Sequence, residues 1–121
     1  MTSTPLPEQG DYSTLPREKM RKVSIAFDVD GTLRCNCTDT CEDPNPDIVE
    51  MFKILKKFKN VKLYVWSGGG AEYAYRFATK FSLLVSSSRC ISKFDGFKPD
   101  IAIDDIQDTA LGAINLIVRE K

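Results

Sequence analysis

Histidine is absent from this chain of 121 residues. That removes Ser-His-Asp and Cys-His catalysis, H-E-x-x-H zinc sites and phosphohistidine chemistry in one step. Acid–base work is left to carboxylates, Lys, Tyr or Cys. Net charge is absent too: 17 basic residues balance 17 acidic ones. The strong electrostatic drive of a non-specific nucleic-acid binder is therefore not expected. No stretch approaches the ~18 apolar residues of a membrane span. The polar N-terminus carries no h-region, so the chain reads as cytoplasmic with no membrane partner. The motifs C-x5-R and G-x4-G-K-S/T are missing, and Gly68-Gly69-Gly70 does not extend to G-x-G-x-x-G. Those absences exclude a cysteine phosphatase loop, a P-loop and a dinucleotide fingerprint.

What is present has the length and composition of one globular domain, residues 21–121, behind a Pro-rich polar tail or arm, residues 1–20. The run VSIAFD from Val23 reads as a strand buried on both faces. Pro46 and Asp47 open a helix extending to about Lys59, with an apolar stripe of Ile48, Met51, Phe52, Leu55 and Phe58. Its lysines Lys53, Lys56, Lys57 and Lys59 read as a solvated face. Val61–Trp66 reads as a second strand, closed by Ser67 and three glycines. A second helix carries Tyr73, Phe77 and Phe81 at i, i+4 and i+8, expected in the core. Leu83–Ser86 reads as a third strand and Ile101–Asp104 as a fourth; a short helix near Gln107–Leu111 and a strand at Ile114–Val118 follow. Alternating strands and helices predict an α/β, three-layer Rossmann-like domain: a parallel sheet of about five strands with helices on both faces.

In such sheets ligands bind beyond the carboxyl ends of the strands, at the switch point of strand order. The polar residues fall at those ends: Asp28 and Asp30, then Ser67, then Asp104 and Asp105. Two carboxylates before Gly31-Thr32 can share one centre, and a second acidic pair supplies enough hard oxygen for Mg²⁺. Ser67 and the glycines suit a phosphoryl group near a helix N-terminus.

These motifs resemble the haloacid dehalogenase (HAD) superfamily of aspartate-dependent phosphohydrolases. FDVDGTL at 27–33 resembles its D-x-D-G-T motif, VWSGG at 65–69 its strand ending in Ser or Thr, and AIDDIQD at 102–108 its acidic pair. ALGAINLIV at 110–118 resembles the helix and strand that come next, so the resemblance spans roughly residues 23–118. It implies a Mg²⁺-dependent phosphatase with Asp28 as nucleophile and Asp30 as general acid–base. Ser67, Gly68 and a lysine would bind the phosphate. Lys93, where the loop after the third strand should return to the active face, is preferred for that lysine over Lys98 and Lys80. Asp28, the Asp30 carbonyl, Asp104 and Asp105 would hold the metal, with Asp108 as a further acid. The intervals between motifs leave no room for a lid domain, which implies a capless or minimal-cap form with an open edge. The substrate expected is a phosphate ester, including one attached to a macromolecule. A polynucleotide 3′-phosphatase or nucleotidase is the enzymatic alternative, and a non-catalytic binding or scaffold domain of HAD-like fold is the alternative of another class. A receiver domain is disfavoured because its acidic pair precedes its phosphorylated Asp by a different order.

Four cysteines remain. Cys35, Cys37 and Cys41 form C-x-C-x3-C in the first loop, and Cys90 lies beyond the expected third strand. They read as reduced thiols, with a Zn²⁺ site formed by all four as the alternative.

Overall fold

The computed structural model describes residues 21–35, 38, 40–107 and 110–119. Five strands form one parallel sheet: β1 (Val23–Asp28), β2 (Val61–Ser67), β3 (Cys90–Ser92), β4 (Ile101–Asp104) and β5 (Ile114–Ile117). Their order across the sheet is β3-β2-β1-β4-β5. The chain thus steps outward from the centre through β2 to β3, then returns to the other side of β1. The switch point lies between β1 and β4, whose register pairs Phe27 with Ile103 and so brings Asp28 and Asp104 to the same level. Adjacent strands are ~4.8 Å apart, which puts two acids side by side at one sheet edge.

Alternation assigns each strand residue to a face. Ile25, Phe27, Leu63, Val65 and Ile103 point to one side and form the main core. That side is covered by α1 (Pro46–Leu55) and α2 (Ala71–Lys80). α1 starts where Pro46 presets the first turn and the Asn45 carbonyl accepts the Ile48 and Val49 amides at 3.1 and 3.0 Å. Phe52 meets Phe27 edge to face at 5.0 Å, both fully buried. α1 ends earlier than the expected Lys59: the Lys57 and Phe58 amides switch to i−3 carbonyls, and Phe58 is left exposed. In α2, Phe77 stacks between Tyr73 and Phe81 at 5.0 and 5.6 Å.

The third strand is not at Leu83–Ser86. Ser82 and Leu84 take left-handed backbone conformations, φ 57° and 59°, which no strand accommodates. Leu83 tucks into the core, Leu84 is exposed, and the chain passes through a 3₁₀ turn at Ser87–Arg89 before β3.

The expected helices on both faces are found on one. Right-handed crossovers place the β1-to-β2 and β2-to-β3 connections on the same side, where α1 and α2 lie. Residues 93–100 and the described part of 105–113 form the opposite side, and no helix occurs there among the described residues. Ala26, Trp66 and Ala102 on that side are covered by Tyr64, Ile91, Phe97 and Leu111. Phe97 lies 4.6 Å from Tyr64 and 6.4 Å from Trp66. The expected helix near Gln107–Leu111 is turn-like at its described residues; 108 and 109 lie outside them. At the amino edge, Asp100 accepts the Ser24 amide at 2.8 Å and hydroxyl at 3.1 Å and pairs with Arg21, tying β1 to the start of β4. No helix among the described residues is long and apolar enough to cross a membrane.

Candidate active site at the carboxyl edge of the sheet

Asp28 ends β1 and Asp104 ends β4, both almost fully buried. With Asp105 they offer three carboxylate oxygens within 4.8 Å of one another, the one such acidic, His or Cys grouping among the described residues. Lys93 follows β3, where its amide donates to the Ser67 carbonyl at 3.0 Å. Its side chain crosses the sheet edge, and Nζ lies 2.9 Å from Asp28 Oδ1 and 2.7 Å from Asp104 Oδ2. All three side chains are nearly excluded from water: 9% exposed for Lys93, 6% for Asp28 and 3% for Asp104.

Charge in this pocket is under-compensated. Burial, then the neighbouring Asp104 charge, push the Asp28 carboxyl up to about 7, against the opposing pull of Lys93. Asp105 is raised as well, first by burial and then by its hydrogen bond and charge interaction with Asp104. Burial works against the Lys93 ammonium, but the hydrogen bonds and charges of Asp104 and Asp28 outweigh it and raise its pKa. One ammonium faces three carboxylates. A hard cation is the complement such an oxygen set takes, so the three carboxylates could hold a metal ion. Gly31, at φ 78°, lies so close to Asp105 that a Cβ there would overlap the carboxylate. The tight turn after β1 and the placement of Asp105 are therefore one feature.

Ser67 ends β2 and is 2% exposed. Its Oγ accepts the Gly69 amide at 2.9 Å, which leaves the hydroxyl proton as a donor. The glycine loop lies between two rings: a Cβ on Gly68 would stand 3.4 Å from Phe94, and one on Gly69 3.2 Å from Tyr73. Gly70 opens α2 at φ 107°.

The structure therefore brings Asp28, Asp104, Asp105 and Lys93 together, with Ser67 holding the Lys93 backbone. Lys98 is exposed, and Lys80 pairs with Glu42 instead. The Asp30 side chain turns elsewhere: its Oδ1 accepts the Tyr73 hydroxyl at 2.7 Å and Arg34 Nη1 at 3.1 Å. Asp108 and Cys37 lie outside the described residues. The described cysteines form no metal-ligating group. Cys90 begins β3 instead of following the third strand, its Sγ donates to the Ser86 carbonyl at 3.7 Å, and burial pushes its thiol up to about 11.

Sequence reasoning missed Tyr73 and Arg34. Tyr73 was expected in the core, and its ring does pack on Phe77; its hydroxyl nevertheless reaches across to the β1 turn. Burial, then the hydrogen bond and charge of Asp30, hold that phenol at about 12. Arg34 is visible in sequence only as a cation four residues after Asp30.

Compared with protein-family models, with curated proteins and with solved structures, the chain matches none.

Proposed function

We propose that this chain is a Mg²⁺-dependent phosphomonoester hydrolase acting through Asp28, with the sheet as the centre of a HAD-like, Rossmann-like domain. The observation that carries the reading is Lys93 Nζ seated between Asp28 and Asp104, beside Asp105, at the switch point of strand order. A purely structural element gains nothing from burying two carboxylates and one ammonium under three-carboxylate crowding, since apolar replacements are often as stable. This argues against the non-catalytic alternative.

In this mechanism an Asp28 oxygen attacks phosphorus in line, and the bond from phosphorus to the ester oxygen breaks. The leaving oxygen takes a proton from Asp30. Asp30, now ionised, takes a proton from the water that attacks the aspartyl-phosphate, and phosphate leaves with Asp28 regenerated. Lys93, the Ser67 hydroxyl and the Gly68 amide neutralise phosphoryl oxygens. Asp28, the Asp30 carbonyl, Asp104 and Asp105 would hold Mg²⁺, which when bound would supply Lewis-acid stabilisation of the transferring charge. Short connections at the carboxyl edge support an open site that takes phosphate on a large molecule, and the same reading places the protein in the cytoplasm.

The test is a phosphatase screen with and without Mg²⁺ over small phosphates, nucleotides, phosphopeptides and phosphorylated DNA ends. Activity should require Mg²⁺ and fall by ~10³-fold or more in Asp28→Asn. Beryllofluoride with Mg²⁺ should load Asp28. Near-normal turnover by Asp28→Asn would sink the mechanism.

A further inference from the structure

The two edges of the sheet are finished differently. β3, at one edge, has three residues set between Arg89 and Lys93. A strand that short, with a charge at each end, offers little to another strand. β5, at the other edge, carries neither protection. From residue 110 to residue 118 the chain has no charged residue and no proline, the residues that blunt natural edges. The Ile114 and Val118 amides donate inward to the Asp100 and Asp104 carbonyls, both at 2.8 Å. Alternation along the strand therefore sets the Ile117 amide and carbonyl on the outer edge, beyond which no strand lies among the described residues. Ile114 and Leu116, in register with Ile101 and Ile103, share the sheet face on which α1 and α2 lie. The crossovers that carry those helices join β1, β2 and β3, and Ile114 and Leu116 are left 54% and 49% exposed.

We infer that β5 is a self-association edge, at which two copies of this chain pair their β5 strands antiparallel about a two-fold axis through Leu116. An axis perpendicular to the sheet keeps like faces together. Leu116 then stands opposite Leu116 of the second copy, and Ile114 opposite Val118 of the second copy. Apolar cross-strand pairs of this kind are the unit of sheet stabilisation. Two observations favour a second copy over an unrelated strand. The edge is self-complementary: each apolar residue meets an apolar residue, and no charge on the strand selects a different partner. The 17 basic and 17 acidic residues of the chain also cancel, so two copies approach without net repulsion. Antiparallel pairing sends the carboxyl edges of the two sheets to opposite ends, so both candidate sites stay open. A pair of four-residue strands makes a small interface, which belongs at the weak, micromolar end of association.

Sedimentation velocity on the full chain between ~5 and ~300 μM should show monomer giving way to dimer. Leu116→Lys sets like charges opposite each other across the axis and should weaken association by ~10-fold or more. Because Leu116 is half exposed, the far-UV spectrum and melting of the variant should match the wild-type monomer. Leu116→Glu should dissociate in the same way. An equimolar mixture of the two variants should recover a dimer, since a two-fold axis through residue 116 brings the opposite charges together. Leu84→Lys, at another exposed apolar residue, should leave association within ~2-fold of wild type. A wild-type chain that stays monomeric to ~300 μM would overturn the inference. So would charge variants that dimerise like wild type, a mixture of them that stays monomeric, or a Leu84→Lys loss equal to that of Leu116→Lys. None of these results bears on the phosphatase reading.

Discussion

Replacing Lys93 by Met removes the one cation buried among the acids while keeping most of the side-chain volume. Nζ is bonded to Asp28 at 2.9 Å and to Asp104 at 2.7 Å, and all three groups are under a tenth exposed. Breaking a buried pair by deleting one partner costs about 3–5 kcal/mol, because the abandoned charge has no water to return to. Here the fold has an escape: Asp28 can take up a proton. In the wild-type protein its carboxyl sits at about 7, already above the ordinary 3.8. Stability attached to the neutral acid is therefore present below pH 3.8 and lost as pH rises through about 7. Without Lys93 the value climbs further, so the variant goes on losing stability above pH 7 where the wild type has levelled off. The gap between them should be nearly constant from about pH 5 to 6.5, then widen by up to ~1.4 kcal/mol per pH unit. Lys93, whose own pKa is raised, stays charged throughout that window. Urea unfolding at about pH 6, 7.5 and 9 in chelator measures the gap, and Mg²⁺ should narrow it by replacing the lost positive charge. A gap that is the same at pH 6 and pH 9, or below ~1 kcal/mol everywhere, would refute the claim that Lys93 holds the Asp28 charge.

Gly31→Ala meets both a left-handed backbone and the Asp105 carboxylate, so unfolding should show a loss of ~1–3 kcal/mol and Mg²⁺ titration a weaker half-saturation. Asp100→Ala, at the opposite edge, should lower the melting temperature with kcat/KM within ~2-fold of wild type, since among the described residues its carboxylate bonds to Ser24 and Arg21, away from Asp28 and Asp104. The Ser24 amide holds the Asp100 carboxyl below its ordinary value. Its contribution should therefore be present above pH 3.8 and fade as pH falls through the lowered value. Protein purified without chelator should carry less than about a tenth of an equivalent of zinc by metal analysis, since Cys90 is buried at the start of β3 and the described cysteines form no metal-ligating group.

β1, β2 and β4 are legible because each is a short apolar run closed by acid or by serine and glycine, as a two-sided buried strand reads, whereas the edge strand β5, with Ile114 and Leu116 exposed, is legible from its apolar residues alone. β3 is not legible on those terms. Cys90–Ser92 has three residues between polar neighbours, and its place is set by pairing with Val65–Ser67, a non-local cause. The more apolar Leu83–Ser86 draws attention away from it. The helix count was misjudged for a geometric reason as well. Alternation of elements announces a parallel sheet, but the two crossovers long enough for helices both belong to the β1-β2-β3 half, and handedness sends both to one face.

The acids of the site were legible because a parallel sheet converts "end of a strand" into "same edge", so chain order alone groups Asp28 with Asp104. Lys93 is legible through its place in the order of motifs, where the loop should return to the carboxyl edge, and not through any local signal. Tyr73 is a different matter: its hydroxyl's partner lies on another element, and locally it reads as an aromatic in a helical stripe. Hydrophobic periodicity registers the Tyr73 ring, which does pack on Phe77, and is blind to the hydroxyl at its far end. That hydroxyl reaches Asp30 because β2 neighbours β1, so the first turn of α2 rises beside the turn that carries Asp30. The same adjacency explains the glycines between them, since Gly69 yields the space the ring needs to reach Asp30. Read together, S-G-G-G-x-x-Y is then one device: the serine fixes the Lys93 backbone, and the tyrosine, through the gap over Gly69, fixes the acid.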